Sequence, residues 1–341
     1  MIASLLLQLH EYALLNGSFS DDVGLFTGKS AVALLNYEWS APYNAPYYSD
    51  TVGYSFLEEI IAGSNQKTSL SYGDGLMGFG SLVDYLRTQN QIDATSQEVL
   101  EEYEPICFAL LPTVKELGLL RGISGFGLYL LNRFEGQYDH PVFEQYIFYC
   151  LSTIGNLVKS SILDNSLWTG WSGILFFLKN LSVKTIRYQD FTKSIINAIS
   201  QKVTISLNVN EFKWANFHAF FAISKLIHSR EYTKNLQNHL AAVPNQISNL
   251  PICDGAFIAL LIHLMSQDRL SMIELNIQKE NVINAVKNSI EHLGLGVVFP
   301  FNPTTNMVQV GLQGGVSGTL LPLLSIEKNR FDWLQLIGID V

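Results

Sequence analysis

A short pattern recurs along this chain at a nearly constant interval, and a period of this length marks an array of stacked supersecondary units. The pattern is a small residue, two further residues, a second small residue, and then an apolar helical stretch. It reads Gly28-Lys29-Ser30-Ala31 before Val32 to Leu35, and Gly75-Leu76-Met77-Gly78 before Leu82, Val83 and Leu86. It returns as Gly122-Ile123-Ser124-Gly125 before Leu128 to Leu131, and as Gly170-Trp171-Ser172-Gly173 before Ile174 to Leu178. The first glycines lie 47, 47 and 48 residues apart. A fifth copy falls in register at Phe217-His218-Ala219-Phe220, without the glycines, followed by Ile223 and Leu226. The sixth starts at Gly255 and the seventh at Gly315-Val316-Ser317-Gly318. The long gap between them holds a loop from Leu293 to Val310, rich in Gly, Pro, Asn and Thr.

Between the copies lie segments of helical periodicity with more charge: Tyr54–Ala62, Gln97–Leu111, Val142–Lys159, Phe191–Leu207, Tyr232–Ala242 and Lys279–His292. Each repeat is therefore a nearly all-apolar helix and an amphipathic one. A helix apolar all round must be buried, and the amphipathic one covers it. The spacing predicts an all-α fold, an α/α toroid of seven two-helix repeats, with inner helices starting near 28, 75, 122, 170, 217, 255 and 315. One domain spanning residues 1–341 is expected. The one stretch with strand character is Gly296 to Phe299. Glycine at the inner-helix start permits close backbone approach and a sharp entry turn. It also leaves backbone N–H groups at the helix N-terminus open to a ligand, where the dipole favours anions.

Composition narrows the partners. With 48% hydrophobic residues the chain can bury a large core, and a net charge of -9 argues against a nucleic-acid backbone. Neutral or basic peptides and small molecules fit better. The three cysteines, Cys107, Cys150 and Cys253, form no CxxC pair, so neither a disulfide framework nor a zinc finger is indicated, and a reducing cytoplasm suits them. Residues 1–15 read as an amphipathic first helix and not as a signal peptide. No apolar run reaches the roughly 18 residues of a membrane span. A cytoplasmic protein is expected, and peripheral docking on a membrane-bound assembly is compatible with so apolar a composition.

Seven repeats in register, with small-x-x-small turns starting inner helices, resemble the lanthionine synthetase C-like family, the lanthipeptide cyclases. The matching stretches are Ser69 to Gly80, Gly118 to Gly127 and Ile252 to Gly255. The resemblance implies an α/α toroid that adds a peptide cysteine across a dehydrated serine or threonine, forming a thioether. It also implies a zinc ion held by a Cys in a Trp-Cys-x-Gly turn of repeat five and by a Cys-His pair in repeat six. Zinc lowers the thiol pKa, and an open coordination position admits the substrate sulfur. A His in repeat four and an Asp in repeat three assist proton transfer in such a site.

This chain departs from that pattern. Repeat five reads Trp214-Ala215-Asn216-Phe217, so the first zinc cysteine is Ala215; repeat six reads Cys253-Asp254-Gly255, so the histidine is Asp254. Thr169 stands where the His of repeat four is expected, and Gly118 where the acid is expected, with Glu116 nearby. Cys253, Asp254, Ala215 and Thr169 are remnant catalytic positions, and no zinc cofactor is expected. His218 with Cys253 and Asp254 is the one alternative metal set. Cys253 also reads as a small core residue.

The residues just before each turn's first small residue should ring the mouth: Thr27, Asp74, Arg121, Thr169, Asn216, Asp254 and Gly314. Asp74 and Asp254 also stand where N-caps are wanted. Arg121, which no cap explains, reads as a ligand contact, and the expected substrate-binding set is Arg121, Asp74, Asn216, Trp214 and His218. Trp168, Trp171, Phe176, Phe177 and Phe217 read as core. The glycine-rich tracts at Gly294 and Gly311 lack the strand-to-helix context of a nucleotide site.

Three functions follow. The leading one is a zinc-free member that holds a precursor peptide, or a dehydratase partner, in the maturation of a ribosomally made peptide. The second is a working cyclase. The third is a carbohydrate-active α/α toroid with Asp74 and Asp254 as its two carboxylates.

Overall fold

The computed structural model describes residues 2–64, 69–93, 97–207 and 307–339, together with scattered positions between 260 and 302. The chain is all-α apart from one small hairpin among the described residues. Its contacts fall into two compact units, residues 1–69 with 240–331, and residues 70–239 with 332–341.

In the first unit, α1 (Ile2–Ser18) packs against α2 (Lys29–Tyr43) and α10 (Val316–Lys328), and α2 and α10 pack on one another. A π-helical turn (Tyr48–Gly53) leads into α3 (Tyr54–Gly63), and both lie on α2. In the second unit, α4 (Leu76–Thr88), α6 (Ile123–Arg133) and α8 (Trp171–Lys184) form the inner row, α4 on α6 and α6 on α8. The outer row is α5 (Gln97–Leu110), α7 (Pro141–Val158) and α9 (Gln189–Leu207), each contacting its own inner helix, with α7 also on α9. A final 3-10 segment (Asp332–Ile337) rejoins this unit, where the Tyr72 hydroxyl donates to Leu336 O at 2.5 Å.

Five predicted inner helices thus begin one residue after Gly28, Gly75, Gly122, Gly170 and Gly315; the starts at 217 and 255 lie outside the described residues. Their burial follows from their composition. In α2 every residue from Ser30 to Ser40 is buried, and in α4 every residue from Leu76 to Leu86. The outer α7 buries a single stripe, Phe143, Ile147, Cys150, Leu151, Ile154 and Val158, at the spacing of one helix face. A buried leucine or isoleucine contributes roughly 1.5–3 kcal/mol relative to exposure, so the inner row dominates the core. α5 ends at Leu110, one residue short of the expected Leu111, where Leu111–Thr113 tightens into a 3-10 turn around Pro112. The segments Tyr232–Ala242 and most of Lys279–His292 lie outside the described residues.

At Val298 and Phe299 the expected strand character is not what forms; Gly296 and Val297 lie outside the described residues. Val298 is helical, its N–H donating to Gly294 O at 3.2 Å, and Phe299 lies in a bend. The paired strands are instead β1 (Phe301–Asn302) and β2 (Met307–Val308), antiparallel, with Phe301 opposite Val308. Asn16 of α1 fixes β2 by accepting from the Val308 N–H at 3.1 Å.

Candidate functional site

The segments entering α2, α6, α8 and α10 follow a common path. The first helical N–H returns to a carbonyl seven residues earlier: Lys29 to Asp22 at 2.7 Å, Ile123 to Glu116 at 2.9 Å, Trp171 to Asp164 at 2.9 Å and Val316 to Gln309 at 3.1 Å. The next N–H does likewise at Ser124 to Leu117 and Ser317 to Val310, and the hydroxyls of Ser30 and Ser172 donate to Val23 O and Asn165 O. The turn therefore consumes the N–H groups that an uncapped helix would present. The expectation that these groups stand open to an anionic ligand fails in these turns, because the chain caps itself with its own carbonyls.

Neighbouring turns are joined at equivalent positions. Gly73 N–H donates to Leu120 O at 2.6 Å, Leu120 N–H to Trp168 O at 2.9 Å, and Gln313 N–H to Phe26 O at 2.8 Å. The same bond links repeats two to three and three to four in the second unit and repeats seven to one in the first. Such close approach leaves no room for a side chain at Gly118, where a Cβ would lie 2.7 Å from Thr169 Cα and 2.8 Å from Trp168 O. The acid expected there by resemblance has no space, and the nearby Glu116 is exposed.

Side chains at the turn tips mostly bond back onto their own turns. Thr27 Oγ1 donates to Asp22 Oδ1 at 2.9 Å, and Thr169 Oγ1 lies 2.9 Å from Ser166 Oγ. Asp74 does not cap α4: Gly75 is the N-cap, with no side-chain bond to it. The Asp74 carboxylate instead accepts from the Ser71 hydroxyl and from Arg121, whose Nε lies 2.6 Å and Nη2 2.5 Å from the same Oδ2. Two of the predicted binding residues, 47 apart in sequence, are thus brought together. Asp74 is largely covered while Arg121 remains 57% exposed. Trp171, Phe176 and Phe177 are core residues, as expected, and Trp168 is half-buried. Gly314, at φ +71°, supplies the left-handed turn of its tip. Trp214, Ala215, Asn216, Phe217, His218, Cys253 and Asp254 lie outside the described residues.

At the opposite ends of the inner helices sits a charged cluster that the repeat reading missed. Asp84 of α4, 2% exposed, is flanked at 3.5 Å by Arg87 Nη2 of its own helix and by Arg133 Nη1 of α6. Arg133 Nε also donates to Glu104 of α5, which accepts from the Tyr129 hydroxyl at 2.7 Å. Burial pushes the Asp84 carboxyl up to about 7, against the pull of the two guanidiniums. The available signal was a pair of charges, Asp84 and Arg87, inside an otherwise apolar helix. In the first unit the buried polar group is His10, stacked on Trp39 with ring centroids 4.2 Å apart, its Nε2 3.1 Å from Asn36 Oδ1. Burial there lowers the imidazole to about 4, so it is neutral. The Cys107 thiol is pushed up to about 12 and Cys150 higher, and both are free and buried, which makes them inert.

Among the described residues no group of three or more His, Cys, Asp or Glu is placed to hold a metal ion, and no helix is long and apolar enough to cross a membrane. The donors left at the positions where the resemblance puts zinc are one thiol, Cys253, and one carboxylate, Asp254, with Ala215 contributing nothing.

In the second unit, turns start apolar inner helices, and each of these helices has an amphipathic partner packed on it. No protein-family model and no curated protein sequence matches the chain. Among solved structures it is similar to nisin cyclase, with a TM-score of 0.63 at 12% identity over 93% of this chain and 92% of that one. At that identity the likeness establishes the fold.

Proposed function

We propose that this chain is a lanthionine synthetase C-like protein that acts in the maturation of a ribosomally synthesised peptide, holding the precursor peptide or its dehydratase partner without zinc chemistry. One observation carries the reading: the likeness to nisin cyclase covers 93% of this chain and 92% of that one. Three features support a holding role without zinc or acid–base catalysis. Ala215 and Asp254 replace two zinc ligands, Thr169 spends its hydroxyl on Ser166, and Gly118 has no room for an acid. In this role the turn tips hold and do not activate. Arg121, fixed by Asp74 on one edge, presents its other edge outward to a peptide.

The test uses a dehydrated, uncyclised nisin-type precursor peptide and the full chain. Native mass spectrometry reads binding, thiol alkylation reads cyclisation, and elemental analysis reads zinc. The expected result is a complex with no zinc and with peptide thiols lost no faster than in a protein-free blank. Thiol loss well above the blank would replace this reading with that of a working cyclase. No complex at 100-fold excess over protein, with the peptide or with the dehydratase, would sink it.

A further inference from the structure

Between the C-terminal ends of α4 and α6, beside α5 and the start of α7, the second unit encloses a cleft of about 480 Å³. Its lining includes Arg87, Glu104, Phe108, Asn132, Arg133 and His140. The volume falls within the roughly 300–1,000 Å³ of small-molecule sites. We propose that this cleft binds an organic carboxylate carried on an apolar or aromatic body, with the Arg87 guanidinium as its anchor.

The charges of the lining are unevenly satisfied. Glu104 is taken by Arg133 and the Tyr129 hydroxyl, and Glu135 by Lys184 Nζ at 3.3 Å. Arg87 is left over: its Nε is buried and makes no hydrogen bond to the protein, and its Nη2 approaches Asp84 only to 3.5 Å. An unmet donor on a charged group is unfavourable, and the Arg87 side chain, 37% exposed in the cleft lining, offers a fork that a carboxylate matches with two parallel bonds. Asn132 and His140 line the same space. His140 Nδ1 accepts from the Val142 N–H at 3.3 Å, which leaves Nε2 as the ring's donor. Phe108 and Phe134 give apolar walls for the body of the ligand.

Behind the two arginines lies Asp84, with neither carboxyl oxygen hydrogen-bonded to the protein. The groups that face it are Arg87 from α4, Glu104 from α5, and Tyr129 and Arg133 from α6, with His140 across the cleft. When Asp84 is neutral, the two guanidiniums face a single remaining carboxyl group, Glu104, and the excess positive charge favours an incoming anion. When Asp84 ionises it competes for Arg87 and repels the ligand. Binding therefore takes up a proton, and affinity falls as pH rises through about 7.

The test titrates the full chain with 3-phenylpropionate, 3-phenylpropionamide and inorganic phosphate, read by calorimetry and by chemical shifts. The carboxylate is expected to saturate at least tenfold more tightly than the amide or phosphate. From pH 6 to pH 8 its affinity should weaken about tenfold, with proton uptake visible in buffers of different ionisation enthalpy. Arg87→Ala should cost at least tenfold, and Arg87→Lys, which keeps the charge without the fork, most of that loss. Asp84→Asn, isosteric and always neutral, should bind at least as tightly with a flat pH profile. Equal binding of acid and amide, tighter binding of phosphate, or no saturation of the carboxylate at 20 mM would overturn the proposal. So would an affinity that ignores Arg87→Lys in a variant whose circular dichroism is unchanged.

Discussion

The two ends of the inner helices in the second unit are made differently. At the turn end the backbone does the work: first-turn N–H groups are met by carbonyls seven residues back, neighbouring turns exchange main-chain bonds, and most tip side chains fold onto their own loops. At the far end the side chains do it, through Asp84, Arg87, Glu104, Tyr129 and Arg133, with several polar atoms left unmet. A backbone demand repeats in every copy and so fixes a pattern. A side-chain cluster arises once, between two particular repeats, and repeats nothing. The fold lives at one end and the individual chemistry at the other.

If that division is right, removing Arg133 should have the largest effect. Its guanidinium is 10% exposed and holds both Glu104 and Asp84. Breaking a buried pair by deleting one partner costs about 3–5 kcal/mol. Arg133→Ala should lower stability by that amount at pH 8, and by less at pH 5, where Asp84 is protonated; thermal denaturation at the two pH values reads the difference. A cost below about 1 kcal/mol at both would show that the far-end cluster is not an organised structure. At the turn end, Gly118→Ala puts a Cβ 2.7 Å from Thr169 Cα. Overpacking against backbone costs about 1–3 kcal/mol. A variant as stable as the parent would break the claim that these turns are fixed by close approach.

The same division explains what the sequence made legible. The five described inner helices start where the small-x-x-small motif puts them, because each start depends on a local path whose requirements are written in those five copies. Asp74 looked like a cap because it precedes a helix. Its real partner, Arg121, lies one repeat away, and pairwise geometry across repeats leaves no local mark. The open helix N-termini were misjudged for a related reason: a carbonyl seven residues back is invisible in a residue pattern. Asp84 and Arg87 were visible as charges in an apolar helix, but their partners on α5 and α6 were not. Thr169 could be read as a departure from the cyclase pattern, whereas its bond to Ser166 depends on the turn's path.

A pH comparison sharpens the contrast between buried groups. His10 is held near 4, below its ordinary 6.5, so the stability it contributes is present above pH 6.5 and is lost as pH falls toward 4. Asp84 is raised from 3.8 to about 7, so its sign is opposite: the folded chain is favoured when it is protonated, and stability is lost as pH rises from about 4 to 7. Each group sets a slope of at most about 1.4 kcal/mol per pH unit. The two oppose each other between pH 4 and 6.5. Asp84→Asn should therefore show a melting temperature that climbs through that range, and His10→Phe, which keeps the stack on Trp39, one that declines. Parallel profiles in the two variants would mean that one of these groups is not buried in its stated form.

The smallest expected effect falls on the pair that the sequence had singled out. Arg121 is 57% exposed and touches Asp74 through one carboxylate oxygen, in solvent where such a pair is screened and contributes about 0–1 kcal/mol. Asp74 keeps a second partner in the Ser71 hydroxyl, so losing the arginine does not orphan the acid. Arg121→Ala should therefore leave the melting temperature within about 2 °C of the parent, at low and at high salt. The contrast with Arg133→Ala is the point, for both arginines pair with acids of a neighbouring helix or turn and only burial separates them. A loss above about 2 kcal/mol in Arg121→Ala would place a structural strut at the turn tips. A stable variant with weakened capture of the dehydrated precursor peptide would leave the arginine its outward edge as its role, since a purely structural residue could not produce that combination.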